Sequence, residues 1–346
     1  MSRSFQHCRR TAITAGMVLC GVFCSIADAA TIIGAVFDRP HSGNAGMRAL
    51  FEQSIIDTAP AGQVIRLASD KCIEAASDAA SVNQALDRLL ADSSVQMILA
   101  LGPVASLEAC QRTGLSKPVL AVFVMDRSWM ESPGGKGGSG LKNLVYTNVP
   151  GWMAKEMAAF RRVTPFTRWA VFLPSALASD SPVNRNILDT AKKDGVDTVV
   201  VGVPDGELRV ELVPAEVTVV YLGPGLALEP GTIEAFADEL AARKIAVFSG
   251  EGKAAVEHRA LATATPEDYL QRLARRTAMQ VRRILLGESP DSLPVELTME
   301  TKLTINMASA RTLGISPAWD LRTEADLLHD DEAQAARKIT LADTVQ

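Results

Sequence analysis

Eight short runs of apolar residues recur along the chain, at 31–38, 64–70, 96–103, 118–126, 169–175, 198–205, 217–224 and 245–251, and each closes on Gly, Pro, Asp, Ser or Glu. The Val, Ile and Leu within them are continuous rather than alternating. That is the pattern of strands covered on both faces, which parallel sheets require because crossover helices lie on each side. Between the runs, apolar positions spaced by three or four predict helices at 45–56, 82–91, 104–110, 153–160, 186–193 and 233–243. Four strands precede residue 130 and four follow residue 165, so the chain divides into two α/β units of parallel sheet flanked by helices. Right-handed crossovers then bring the loops that follow the strands to one edge of each sheet, where such folds bind ligands.

The stretch between the units, 127–142, contains Pro133-Gly-Gly-Lys-Gly-Gly-Ser-Gly140 and has too few side chains to pack a core, which predicts a mobile loop over 134–140. It is no phosphate loop, because Lys136 is followed by Gly137 and not by Ser or Thr. Residues 143–149 read as an extended connector into the second unit, and 258–263 as one returning from it. Thr265-Pro266-Glu267-Asp268 has the composition of a helix start, with Thr265 as the cap, and the helix that follows ends at Gly287. Tyr269, Leu273, Thr277, Val281 and Leu285 form its apolar face, and Arg272, Arg275, Arg276, Arg282 and Arg283 lie mostly on a solvated one. Asn306 is expected to cap a short helix over 307–313 that Gly314 closes.

The first 29 residues read as an address. Arg3, Arg9 and Arg10 precede an uncharged apolar stretch over 11–26, and Ala27-Asp28-Ala29 offers small residues where a signal peptidase cuts. A periplasmic location is therefore expected, with no membrane span after cleavage. The polar end, 331–346, is expected to be a frayed tail. Removing the leader takes three arginines and Asp28 from 35 basic and 40 acidic residues, leaving 32 against 39, which disfavours a nucleic-acid partner. Cys72 and Cys110 remain outside the leader, and an oxidising compartment would allow a disulfide between them. No Gly-x-Ser-x-Gly elbow, dinucleotide fingerprint or His/Cys/Asp metal spacing accompanies a strand, so neither catalytic residues, a metal nor a cofactor is expected.

Glu267-Asp268-Tyr269, Ala278-Met279-Gln280-Val281, Ile284-Leu285-Leu286-Gly287-Glu288, Leu293-Pro294-Val295, Thr304-Ile305-Asn306, Ala310 and Leu313-Gly314-Ile315 together resemble the C-terminal signature of one family. It is the tryptophan/tyrosine-type substrate-binding family of ABC transporters. Upstream, residues 97–102, 118–126 and Asn143-Leu144 fall where that family places strand ends and its lobe crossover. The resemblance implies a type I periplasmic binding protein: two Rossmann-like lobes joined by a multi-strand hinge. Lobe 1 would comprise 30–146 with 264–290, and lobe 2 would comprise 147–263 with 291–330.

The chain departs from the family after its first strand, where it has Asp38-Arg39-Pro40-His41-Ser42-Gly43, and at Pro174-Ser175-Ala176. The resemblance therefore implies the fold but not the ligand. The strand-end edges nominate the contacts. Gly102, Pro103, Val104 and Ser106 open a helix whose backbone N–H groups, with the Ser106 hydroxyl, could hold a ligand carboxylate. Asp38, Asp126 and Glu251 could meet an amine. Arg39, His41, Ser175, Gly223 and Ser249 stand on the same edges, and Tyr146 lies on the connector. The function implied is capture of a small polar molecule and its delivery to an ABC permease. The alternative is an envelope adaptor or sensor of the same fold that binds a protein partner.

Overall fold

The computed structural model describes residues 30–329, apart from 129, 130, 132, 133, 135 and 136. The expected leader and the polar tail lie outside the described residues.

The first unit runs β1 (Thr31–Phe37), α1 (Asn44–Thr58), β2 (Ile65–Glu74), α2 (Ala79–Ala91), β3 (Met97–Leu101), α3 (Pro103–Gln111), β4 (Val119–Val124) and β5 (Leu144–Asn148). Its five strands are all parallel, in the order β2-β1-β3-β4-β5. The second unit runs α4 (Trp152–Val163), β6 (Arg168–Pro174), α5 (Ser175–Ala178), α6 (Pro182–Lys193), β7 (Asp197–Val203), β8 (Val219–Leu222), α7 (Pro230–Ala242), β9 (Ala246–Ser249), α8 (Lys253–Glu257) and β10 (Ala262–Thr263). The chain then forms α9 (Tyr269–Leu285), β11 (Thr304–Asn306), α10 (Met307–Leu313), α11 (Trp319–Glu324) and β12 (Asp326–Leu328). The second sheet has the order β12-β11-β10-β9-β8-β6-β7, and only the β10–β11 pair is antiparallel.

All eight apolar runs became strands. β3 and β4 are buried at every position, as expected of strands sandwiched between helix layers. The two connectors were underestimated: 144–148 joins the first sheet as β5, and 262–263 joins the second as β10. Their backbones find partners in the sheets, as polar groups withdrawn from water must. The chain passes between the sheets three times, after β5, between β10 and α9, and between α9 and β11. The first and third passages pair with each other, since Asn148 N donates to Val295 O at 2.8 Å and Leu297 N to Asn148 O at 2.8 Å.

Other expectations need correction. Of the Gly-rich stretch 134–140, residues 135 and 136 lie outside the described residues, and 138–140 is docked: Ser139 is buried, its hydroxyl donates to Leu144 O at 2.6 Å, and Gly140 N donates to Asp291 O at 3.2 Å. Gly138 lies so close to the Asp291 carbonyl that a Cβ there would stand 2.1 Å from it, so the glycine serves contact and not mobility. Thr265 is not the cap of α9. The helix begins after Asp268, and the Thr265 hydroxyl lies within hydrogen-bonding distance of Glu156 and the Gly250 carbonyl. Asn306 does cap α10, accepting from Ser309 N at 2.9 Å, and Gly314 ends that helix at φ 73°.

Cys72 and Cys110 form no disulfide. Cys72 lies on edge strand β2 near Arg48 and Glu52 of α1, whereas Cys110 is buried on α3. The connection through α1 moves one way along the sheet and that through α3 the other, so right-handed crossovers place these helices on opposite faces. The sheet separates the two sulfurs. Among the arginines of α9, Arg272 pairs with Asp268 and Arg283 with Glu288, while Arg276 turns inward to the Pro294 carbonyl.

The core of the first sheet is mostly aliphatic, built on Ile33, Leu67, Leu86 and Ile98 with Phe51 and Tyr146. Against the second sheet an aromatic block forms. Trp169 stacks on Phe166 at 5.3 Å and on Tyr221 at 5.5 Å, and Phe160 on Phe248 at 4.3 Å. No helix among the described residues is long and apolar enough to cross a membrane.

Candidate ligand-binding cleft

The edges at the C-terminal ends of the two sheets face each other and touch. Arg39, just past β1, donates to Leu226 O at 3.3 Å, and Ser42 donates to Glu229 at 3.0 Å. Pro103 abuts Gly225, where a Cβ would lie 2.7 Å from the proline ring. Gly225 adopts φ +88°, so this close approach and the turn both favour glycine. Behind these contacts lies a cavity of about 270 Å³, near the lower end of the roughly 300–1,000 Å³ usual for small-molecule pockets.

Its walls are mostly apolar. Met47 and Leu101 come from the first sheet's side with Pro103 and Phe123, Pro224 and Ala227 from the second, and Tyr269 and Leu270 from the start of α9. Polar groups enter at few points: Asp38, Arg39, His41 and Asn44 on one rim, Glu251 on the other, and Thr265 between them.

Asp38 is buried at the end of β1 and accepts Val104 N at 2.9 Å and Ala105 N at 2.7 Å. Burial lifts its carboxyl to about 6, and the two backbone N–H groups hold it from rising further. Gly102 makes room for this arrangement, because a Cβ there would stand 2.3 Å from the carboxyl carbon of Asp38. On the opposite rim Glu251 accepts Leu226 N at 3.1 Å, and burial likewise raises its carboxyl to about 6 against the backbone donors of 225–227. The two rims use one device: a carboxylate at a strand end satisfies the N–H groups of a neighbouring turn.

Of the residues nominated from sequence, Asp38, Arg39, His41, Gly102, Pro103 and Glu251 line the cavity. Val104 supports it through the N–H that Asp38 accepts. The helix terminus therefore holds Asp38, where the sequence suggested a ligand carboxylate. Ser106 is wholly buried and braces α3, accepting Phe123 N at 2.9 Å. Asp126 belongs to the crossing after β5, where it accepts Gly151 N at 2.8 Å. Tyr146 lies inside β5, and burial raises its hydroxyl. Ser175 opens α5 beside Gly202. Gly223 N pairs with Phe172 O, and Ser249 accepts Glu251 N at 3.0 Å, which sets that acid on the rim.

Sequence reading missed Asn44, Met47, Phe123, Thr265, Tyr269 and Leu270. Thr265-Pro266 was the available signal, but it resembled a helix cap. Behind Thr265 lies one more acid. Glu156 of α4 is buried and meets the hydroxyls of Tyr221 and Thr265 beside the Trp152 indole, and burial raises its carboxyl to about 8.

Solved structures share this architecture. An ABC domain from Streptococcus pneumonia in complex with L-Trp superposes with a TM-score of 0.67 at 18% identity, covering 86% of this chain and 100% of that one. A conserved domain protein from Vibrio cholerae gives 0.69 at 16% identity, covering 86% and 99%. The ligand-free, open form of a substrate-binding protein with adhesive properties from Clostridium difficile gives 0.53 at 16% identity, covering 86% and 99%. No family model matches the chain, and no curated protein sequence matches it. The chain has the type I periplasmic binding protein fold: two α/β lobes with parallel-dominated sheets, joined by several crossing segments, with a cleft between their strand-end edges.

Proposed function

We propose that this chain is an exported solute-binding protein that closes on a small molecule between its lobes and delivers it to an ABC permease. The observation that carries this reading is the mostly apolar cavity with its few polar groups, at the edge where folds of this type take ligands. The L-Trp complex of the Streptococcus pneumonia domain supports a small-molecule role for the same architecture. Membership of the tryptophan/tyrosine-type family, periplasmic location and the permease partner belong to this proposal. So do the lobe boundaries of 30–146 with 264–290 and 147–263 with 291–330. Within it Asp38, Arg39, His41, Gly102, Pro103 and Glu251 contact the ligand, joined by Phe123, Thr265 and Tyr269, and no bond is made or broken.

A ligand that binds the folded state alone raises the melting temperature by mass action. A thermal-shift screen of amino acids, aromatic and aliphatic acids, amines and nucleosides tests the reading. A hit should disappear in Met47→Trp, which fills the cavity from α1. A screen without a hit, together with cross-linking to an envelope protein, would replace solute capture by the adaptor role.

A further inference from the structure

We infer that the cleft selects a small organic cation, an amine carried on an apolar body, over the matching carboxylate. This rests on the solute-binding reading and fixes the charge of what is bound. A ligand anion needs free donors, and the backbone donors at both strand-end rims are engaged by the protein itself. The N–H groups opening α3 go to Asp38, and those of the 225–227 turn go to Glu251. Both amide hydrogens of Asn44 are used, on Arg39 O at 2.8 Å and on Glu74 Oε1 at 2.8 Å. His41 Nδ1 accepts Gly43 N, so its proton sits on Nε2, 3.5 Å from Glu229. Arg39 spends one of its five N–H groups across the seam on Leu226 O, with its guanidinium laid against Gly206.

What remains open is acceptor capacity. Neither Asp38 nor Glu251 has a Lys, Arg or His within ion-pair distance among the described residues, and each carboxylate has lone pairs beyond those its N–H donors occupy. Two carboxylates without a counter-cation, Asp38 buried on one rim and Glu251 half-buried on the other, create a site for positive charge, and the apolar walls fit a hydrocarbon body. Closure around an ammonium would supply the charge that both rims lack and hold the rims together.

Titration calorimetry of the mature chain near neutral pH tests this with molecules that share one body. The set is phenethylamine, phenethyl alcohol, hydrocinnamate and phenylalanine, with isoamylamine and isocaproate as an aliphatic pair. An amine is expected to bind more tightly than its acid partner by roughly 30-fold or more, and Glu251→Gln and Asp38→Asn should each weaken it by a similar factor. The alcohol should respond several-fold less to either change. If Asp38→Asn loses the native circular dichroism, Glu251→Gln alone decides the matter. Binding of an acid or of phenylalanine as tightly as the amine would overturn the charge preference. So would an amine affinity unchanged in Glu251→Gln. If that acid or phenylalanine binding vanishes in Met47→Trp, the cleft stands as a solute site and only the charge preference falls. No binding by any of the six would overturn both.

Discussion

The cleft and the interior directly behind it each bury carboxyl groups and treat them differently. Asp38 and Glu251 meet backbone N–H groups fixed in position by a helix start and a turn, and their carboxyls stand at about 6. Glu156, one layer deeper, meets side-chain donors in place of backbone N–H groups and stands at about 8. Burial is the leading cause in all three, and hydrogen-bond donors oppose it in each. At neutral pH the rim acids are therefore mostly ionised and suited to recognition. Glu156 is a neutral acid that ties α4, β8 and the crossing at Thr265 together. The comparison predicts that changes in the interior move stability and leave affinity alone, while changes on the rims reach affinity.

The largest expected effect lies in the interior. Trp169 is fully buried in the aromatic block and its indole N–H donates to Thr198 at 2.7 Å. Trp169→Ala should cost about 3–5 kcal/mol in denaturant unfolding, with ligand affinity unchanged in the molecules that remain folded. A parallel loss of affinity would merge the two regions.

Next comes Glu156→Gln, whose effect depends on pH. A carboxyl raised from 4.5 to about 8 keeps its proton in the native state where the unfolded chain has released it. Its stabilising contribution is full below about pH 4.5 and is lost as pH rises through about 8. Glu156→Gln should therefore overtake the parent protein between about pH 5 and 8, by on the order of 2–4 kcal/mol at the upper end. Melting curves across that range check it. The rim acids, retained in the variant, leave a slope that ends near pH 6.

Gly102→Ala should act on the rim. The added methyl occupies the place of the Asp38 carboxyl and leaves Val104 and Ala105 N–H without their acceptor. A loss of about 1–3 kcal/mol is expected, with ligand affinity lost along with it. If stability falls and affinity does not, Asp38 is merely structural. The smallest effect belongs to Arg39→Met. It removes one hydrogen bond across the seam, worth about 0.5–1.5 kcal/mol, and should weaken ligand binding a few-fold with only a small drop in the unfolding midpoint of the ligand-free protein.

The fold was legible because it depends on local signals. Eight continuous apolar runs became eight strands, and Asn306 and Gly314 bounded α10 as their chemistry demands. The cleft was legible only in part. Asp38, Asp126, Ser175 and Glu251 all stand near strand ends, yet only the first and last reach the cavity. Asp126 turns to Gly151 at the crossing, and Ser175 starts a short helix beside Gly202. Thr265, Tyr269 and Leu270 were missed because they lie on a crossing segment, which the rule of strand ends does not cover.

By itself the sequence determined the α/β architecture, the two-unit division, the edge where a ligand would be sought and several helix boundaries. Each of these follows from periodicity, side-chain volume and backbone donors within a few residues. Tertiary structure alone decided which rim residues meet, that Asp38 and not a solute occupies the start of α3, and that the two thiols lie on opposite sides of a sheet. Those outcomes turn on distances between groups dozens to hundreds of positions apart. Such distances are set only when the sheets, their helices and the three crossings pack into one arrangement.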